Sequence, residues 1–540
     1  MTKKIFTAVV LSVLFVSCKS KIPVISSIDP KIGNMGDVIT LRGRNFGAAR
    51  EGAFVSIAGI TPTNSSYFTW QDDLIILKIP ESGDSGLVYV YVKGRRSNGV
   101  LFSNSASVPR LIEGEDTGME PKITIVSPQT GVPGTLVAIT GQNFGASKEG
   151  SGVFFSWDYA AHSINPYVVA EPEYIEVSEI EFGYESWNAR EIRVRLPDGA
   201  ISGSLKIKTP NGESRPVFFD VAGKPGYKNF KDKRSYTISY SVDVKINEAA
   251  RPNNLYLWMP LPVTSASQRK VTLVSRSMDP FVENHRGVSL FKLDNLMAGA
   301  AHTINLSFNV EVYAVETSIR PVSIRQGKSP LYTAYTQSTN LIPADNSHIK
   351  STVANIVGKE QNPYIKARML YDWIIKNIDI DENPFITSGA VSALGQKKAD
   401  PYSAALLYAA MARAAKLPCI PTAGVLINRQ SQTIRHYWTE VWIDDFGWLP
   451  VDPVLGAGAV PDSYNNKEID YLNFYFGNTD SQRIAFSRGE LNLSQMESRG
   501  RLVSHTQSYS LQNIWEEASG GLESYSSLWG DIIIRGVYVQ

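Results

Sequence analysis

Cysteine is nearly absent from this chain: its 540 residues contain two, Cys18 and Cys419. A disulfide framework is therefore excluded, and stability must come from packed cores. Long apolar runs are missing too, since beyond the N-terminal stretch no segment reaches the roughly 18 uninterrupted apolar residues of a membrane-crossing helix. An excess of charge of either sign is lacking, with 53 Lys+Arg against 52 Asp+Glu and no outstanding basic run. That balance argues against nucleic acid as a partner. What remains is a chain with 43% hydrophobic and 10% aromatic residues, 41 Gly and 29 Pro, spread over many short apolar segments. Such a composition buries real cores and leans toward β-rich, turn-rich architecture. The length calls for roughly three to five domains.

The chain opens "MTKKIFTAVVLSVLFVSCKS", with Lys3 and Lys4 ahead of an apolar run from Ile5 to Val16, then Ser17 and Cys18. The run is too short to span a bilayer and reads as a secretory signal. It resembles a bacterial lipoprotein signal, with Phe15 where leucine is more usual. The resemblance implies a signal over 1–18, lipidation at Cys18 and a lipid as the only membrane anchor. The expected location is the cell envelope, at the outer membrane, with the face left open.

An internal repeat follows. "PVISSIDPKIGNMGDVITLRGRNFGAAREG" (23–52) recurs as "PKITIVSPQTGVPGTLVAITGQNFGASKEG" (121–150), with Pro30, Gly33, Gly36, Gly43, Asn45 and Phe46 all matched at an offset of 98. Ungapped identity at turn residues marks a duplicated domain, and the alternating runs "VITLRG" and "LVAITG" mark β-sandwiches. In the "GxNFG" turn, Gly43 and Gly47 are expected to supply positive φ, Asn45 to bond backbone and Phe46 to plug the sandwich. Both units resemble the IPT/TIG family of immunoglobulin-like domains, over 22–109 and 121–223, with a linker at 110–120. A ligand site through Tyr67, Phe68 and Trp70, or Trp157 and Tyr159, is left open.

A second linker is expected at 224–234, then a further β-sandwich over 235–320, where "SYTISYSVDVKI", "NNLYLWMPLP" and "HTINLSFNVEVYAV" alternate. From about 345 the spacing turns helical, as in "PYIKARMLYDWIIKNI", and strands resume at "TAGVLI", "HYWTEVWI" and "GWLPVD". Helices followed by antiparallel strands predict an α+β domain. The helix ending in "RAAKLP" and the run "HYWTEVWIDDFGWLPVDP" (436–453) resemble the transglutaminase-like superfamily, a papain-like group. That resemblance implies a domain over 321–480, completed by a C-terminal extension over 481–540. It also implies a thiol nucleophile opening the helix, with His436 as proton carrier and Asp452 orienting it.

The helix start departs from this pattern. Twelve residues before Arg413, where the family has its cysteine, stands Pro401. Proline supplies neither a nucleophile nor the N–H that contributes to an oxyanion hole, whereas Asp400 as cap and Pro401 at the first helical position suit a helix start. Ser403 lies two residues on, about 200° around the helix from the cysteine direction. Cys419 is expected to be a buried inert thiol, and Asp400 a cap rather than a partner of His436 and Asp452. No metal or cofactor is expected. The sequence thus predicts a lipoprotein with a non-catalytic transglutaminase-like domain that binds peptide, glycan or cell wall through a cleft lined by His436, Trp438, Glu440 and Trp448. Two alternatives stay open: an active peptidase or acyl transferase using Ser403, and a structural scaffold in an envelope complex.

Overall fold

The structure is a computed structural model and describes residues 22–81, 85–104, 118–157, 173–325, 327, 329–381, 389–461, 464 and 470–539. The proposed signal, Cys18, Tyr159 and much of the 110–120 linker lie outside these residues. The described chain forms two compact units, one ending at residue 104 and one beginning at residue 118.

The first unit is a two-sheet sandwich. One sheet runs in the order Val24–Asp29, Val38–Arg44, Leu74–Lys78, Tyr67–Trp70; the other in the order Ile32–Gly33, Val100–Asn104, Gly86–Val92, Phe54–Ile57, with Arg95–Arg96 folded back on its third strand. Alternate residues of each strand, among them Ile39, Leu41, Val55, Ile75, Leu77, Val88 and Val90, meet in one core. The second repeat opens the second unit and reproduces this plan over residues 122–221.

The "GxNFG" turn works differently from the expectation at one position. Gly47 has positive φ (89°), as predicted, and so does Asn45 (62°), whose amide Nδ2 donates to the Ile22 carbonyl at 2.9 Å. Gly43 does not have positive φ. It is required by close approach, because a Cβ there would stand 2.0 Å from the Val24 carbonyl oxygen and 2.4 Å from the Phe46 ring. Gly141 repeats this, with 1.9 Å to the Lys122 oxygen and 2.5 Å to Phe144. Both phenylalanines are fully buried. The aromatics left open as ligand contacts are mostly structural: Tyr67 Oη accepts the Val55 N–H, Trp70 Nε1 donates to the Phe46 carbonyl, and Tyr184 and Trp187 do the same for Val153 and Phe144. Trp157 is buried in the second core, and of the described members of the set Phe68 is the well exposed one.

Beyond the second repeat the expected linker at 224–234 is not a linker. It forms the first part of one 35-residue strand, Gly226–Pro260. The early half pairs Ala301–Ile319 and Ile533–Val539; the late half pairs Val288–Asp294 and Glu516–Trp529. Register breaks between Ile246 and Asn253 turn the strand from one layer to the other, so that Tyr236, Ile238 and Tyr240 face Leu255, Leu257 and Met259 across a shared core. The C-terminal extension was expected to complete the α+β domain. Only Arg483–Arg488 does so, at the edge of its four-stranded antiparallel sheet, and the strands after residue 500 return to the sandwich.

That sheet runs in the order Gly447–Val451, Thr433–Ile443, Cys419–Ile427, Arg483–Arg488. The helices Ser347–Val357, Pro363–Asn377 and Pro401–Ala414 pack on one face of it through Ile349, Leu370, Ile374, Leu406, Leu407 and Met411 against Val441, Ile443, Leu449 and Val451. Among the described residues no helix is long and apolar enough to cross a membrane.

The Gly43 contact generates a separable stability test. Gly43→Ala forces the strand from Val24 and the Phe46 plug apart, costing about 1–3 kcal/mol. Two-transition thermal unfolding of the full chain should show the first unit destabilised and the second unchanged; Gly141→Ala should move the other transition.

Candidate functional site

His436 sits on Thr433–Ile443, opposite Gly424 on one side, and the turn Asp444–Phe446 returns the chain so that Val451 pairs Thr439. Asp452 follows immediately, leaves the sheet and caps the short helix Pro453–Gly456, its Oδ1 accepting the Leu455 N–H at 3.1 Å. This places the Asp452 carboxylate beside His436, and Oδ2 accepts from His436 Nε2 at 2.8 Å. Both side chains are buried. The two residues assigned as a dyad are therefore brought together, with the imidazole held by a carboxylate that cannot turn away.

A guanidinium holds the same oxygen. Arg483 Nη1 donates to Asp452 Oδ2 at 3.1 Å and Nη2 to Asp480 Oδ2 at 2.8 Å, and its guanidinium lies 5.0 Å from the Trp438 ring centroid. Burial by itself would raise both carboxyls. For Asp480 the Arg483 guanidinium outweighs it and holds the group at about 2. For Asp452 the neighbouring His436, then Arg483, keep it below the ordinary carboxylate range.

The helix start is occupied by other contacts. Asp400 is the cap, accepting the Ser403 N–H at 2.7 Å and the Gln507 side-chain amide at 3.1 Å. Pro401 takes the first helical position. Ser403 is fully buried and its Oγ accepts the Gly389 N–H at 3.0 Å. Among the described residues no hydrogen bond joins Asp400 or Ser403 to His436. The strand residue that meets the helix start is Tyr437, whose ring is 5.1 Å from that of Tyr402 and whose hydroxyl donates to the Ser508 carbonyl at 2.8 Å. Strand alternation sends His436 to the opposite face with Trp438 and Glu440. Cys419 is buried, and burial pushes its thiol up to about 12 despite Arg413 nearby.

That opposite face is covered from within the second unit. Trp438 is 4% and Trp448 3% exposed, so they do not line an open groove. Glu440 accepts from Arg488 Nε at 3.0 Å, and Arg488 Nη1 reaches Glu181 of the second repeat at 2.7 Å. Asp198, also of the second repeat, accepts the Trp448 N–H at 3.1 Å and pairs Lys228 at 2.5 Å; Lys228 donates in turn to the Trp448 carbonyl at 2.6 Å. Gly447 (φ 104°) is the residue that lets Asp198 in, since a Cβ there would lie 2.2 Å from Asp198 Oδ1. The cavity between these groups is about 50 Å³. At about 10–15 Å³ per water it admits a few waters, not a peptide or sugar chain.

Sequence reading did not anticipate Arg483, Arg488, Glu181, Asp198 or Lys228. Two arginines in the apolar run "RIAFSR" were a signal, because arginine is rarely buried without a partner. A spacing of five predicts opposite faces. The register shift between Ala423 and Gly424 puts both arginines on the His436 face, with Arg483 opposite Leu426 and Arg488 opposite Thr422.

Comparison with known proteins finds the two families that the sequence resembles. The transglutaminase-like superfamily matches residues 350–453, and the IPT/TIG domain matches 23–107 and 121–221. The chain carries two IPT/TIG domains and a transglutaminase-like core. A Haemophilus influenzae "Uncharacterized protein" is 22% identical over 312 residues, spanning 49% of this chain and 81% of that one. A solved structure from Cytophaga hutchinsonii, described as a "Putative Cysteine Protease", overlaps 58% of this chain and 92% of its own at 13% identity and a TM-score of 0.36. SGBP-B from a Bacteroides uniformis xyloglucan utilization locus overlaps 55% and 99% at 12% identity and a TM-score of 0.14. Overlap at these TM-scores bears on neither activity nor ligand.

The Arg483 cluster has a definite pH signature. A carboxyl held near 2 against an ordinary 3.8 contributes stability that is complete above about pH 4 and is lost as pH falls toward 2. The contribution is on the order of 2 kcal/mol. Urea unfolding of the wild type should weaken across that window, and Asp480→Asn should flatten the dependence. Arg483→Met removes the guanidinium shared by two buried carboxylates, Asp452 and Asp480, and should cost about 3–5 kcal/mol at neutral pH.

Proposed function

We propose that this chain is a cell-envelope lipoprotein, anchored through a lipid on Cys18, whose transglutaminase-like domain performs no thiol chemistry and serves as a structural module of an envelope assembly. One observation carries the non-catalytic reading: the helix start offers Pro401, and the histidine that would activate a nucleophile is bound to Asp452 on the face where Arg483, Trp438 and the second IPT/TIG domain close over it. Every motif residue is engaged in holding the fold. His436 and Asp452 tie strand to helix, Glu440 pairs Arg488, and the Trp448 backbone receives Asp198 and Lys228. An acyl-transfer site needs a nucleophile and its base within hydrogen-bond reach.

The scaffold role is favoured over recognition in the motif cleft by the burial of Trp438 and Trp448. Recognition of a peptide, glycan or cell-wall polymer is the second reading, and under it the contact surface lies elsewhere on the chain. The N-terminal Lys3, Lys4, apolar run and Cys18 support the envelope location.

Two measurements test the proposal. Amide hydrolysis and transamidation assays should show no turnover for the wild type; turnover abolished by Ser403→Ala or His436→Ala would revive the enzyme. Fractionation of the expressing cell should find the wild type with membranes and Cys18→Ser released. Membrane association unchanged in that variant would sink the lipid anchor.

A further inference from the structure

The pair Lys228 and Asp198 is placed as reactants are. The two side chains are 7% and 6% exposed, and Nζ stands 2.5 Å from Oδ2. Lys228 is the third residue of the long strand, whereas Asp198 lies on the second IPT/TIG domain, so the pair bridges two domains of one compact unit. Its surroundings mix rings and charges: the Phe446 ring is 4.8 Å from Nζ, and Phe230 and Trp448 line the same cavity as Glu181, Glu440 and Arg488. Asp198 Oδ1 is buried and has no hydrogen-bond partner among the described residues. A carboxylate with one oxygen orphaned in such a place costs free energy that a neutral group would not.

A third group completes the arrangement. Glu181 lines that cavity with Lys228 and Asp198, and its Oε1 accepts from Arg488. Burial raises its pKa and Asp198 adds to the rise, against the pull of Arg488. It is therefore a carboxyl suited to taking and returning a proton close to the pair.

We propose that Lys228 and Asp198 condense to an intramolecular amide that staples the second IPT/TIG domain to the body of the protein, with Glu181 carrying the proton. The buried ion pair first neutralises, one proton passing from Nζ to the carboxylate. The free amine then adds its lone pair to Asp198 Cγ, and Glu181 takes a proton from that nitrogen and gives it to the departing hydroxyl. One C–N bond forms, one C–O bond breaks, and one water leaves into the adjoining cavity. No oxidant, reductant or further reactant is involved. Holding amine and carboxyl in contact removes the encounter entropy that makes the same condensation slow in solution. The staple closes a loop between positions 198 and 228 in a chain whose single described cysteine, Cys419, is free. Its stabilising effect parallels that of a disulfide.

Intact-mass measurement of the denatured full chain tests this directly. The expected result is a mass lower than that of the mature sequence by one water, with a branched proteolytic peptide joining Lys228 to Asp198. Lys228→Ala and Asp198→Ala should each abolish the loss. Glu181→Gln keeps both reacting groups and should retain the full, uncondensed mass after the same expression time. A wild type at full mass, with Lys228 and Asp198 recovered in separate linear peptides, would overturn the proposal and leave the pair a buried salt bridge.

Discussion

The Asp452 carboxylate is the point on which the C-terminal half is organised. A fully buried carboxylate must have its oxygens satisfied, and three elements supply the donors: His436 from the central strand, Arg483 from the edge strand and the Leu455 N–H from the short helix. Removing any one weakens the compensation of a buried anion, so the central strand, the edge strand and the short helix are tied through one carboxylate. In a cysteine enzyme the same carboxylate would orient an imidazole toward a thiolate. Here the imidazole is one of three donors to a structural anion.

Under the proposed non-catalytic reading, the proline at the helix start and the covering domain are two sides of one arrangement. The face that carries His436, Trp438 and Glu440 is apolar enough and charged enough to receive a partner, and the second IPT/TIG domain is that partner, through Glu181 and Asp198. Two motif features do double duty in this docking. Glu440 neutralises Arg488, and the glycine of "GW" leaves room for the Asp198 carboxylate. The interface thus uses residues of the family motif.

Much of this was legible before any coordinates. The repeat offset, the "GxNFG" turns and the helix count back from Arg413 located both IPT/TIG domains and the proline at the helix start, because each depends on local turn and capping chemistry. The pairing of His436 with Asp452 followed from motif order. Three things were not legible. Gly43 reads as a conformational glycine until the Val24 carbonyl is seen against it. The segment 224–234, rich in lysine, reads as a linker because its strand partners lie some eighty to three hundred positions away, at 312–319 and at Val539. The arginines of the edge strand face the site only through a bulge, and a one-residue shift in register is invisible in a single chain.

The absence of that linker has a mechanical consequence. A pull that separated the second IPT/TIG domain from the C-terminal body would load the strand Gly226–Pro260 lengthwise. Its hydrogen bonds to Ala301–Ile319 lie across that direction and would be sheared together instead of unzipping in turn. The junction would then resist extension as a stiff rod does, and tension arriving through the second IPT/TIG domain would reach the core of the body undiminished by slack.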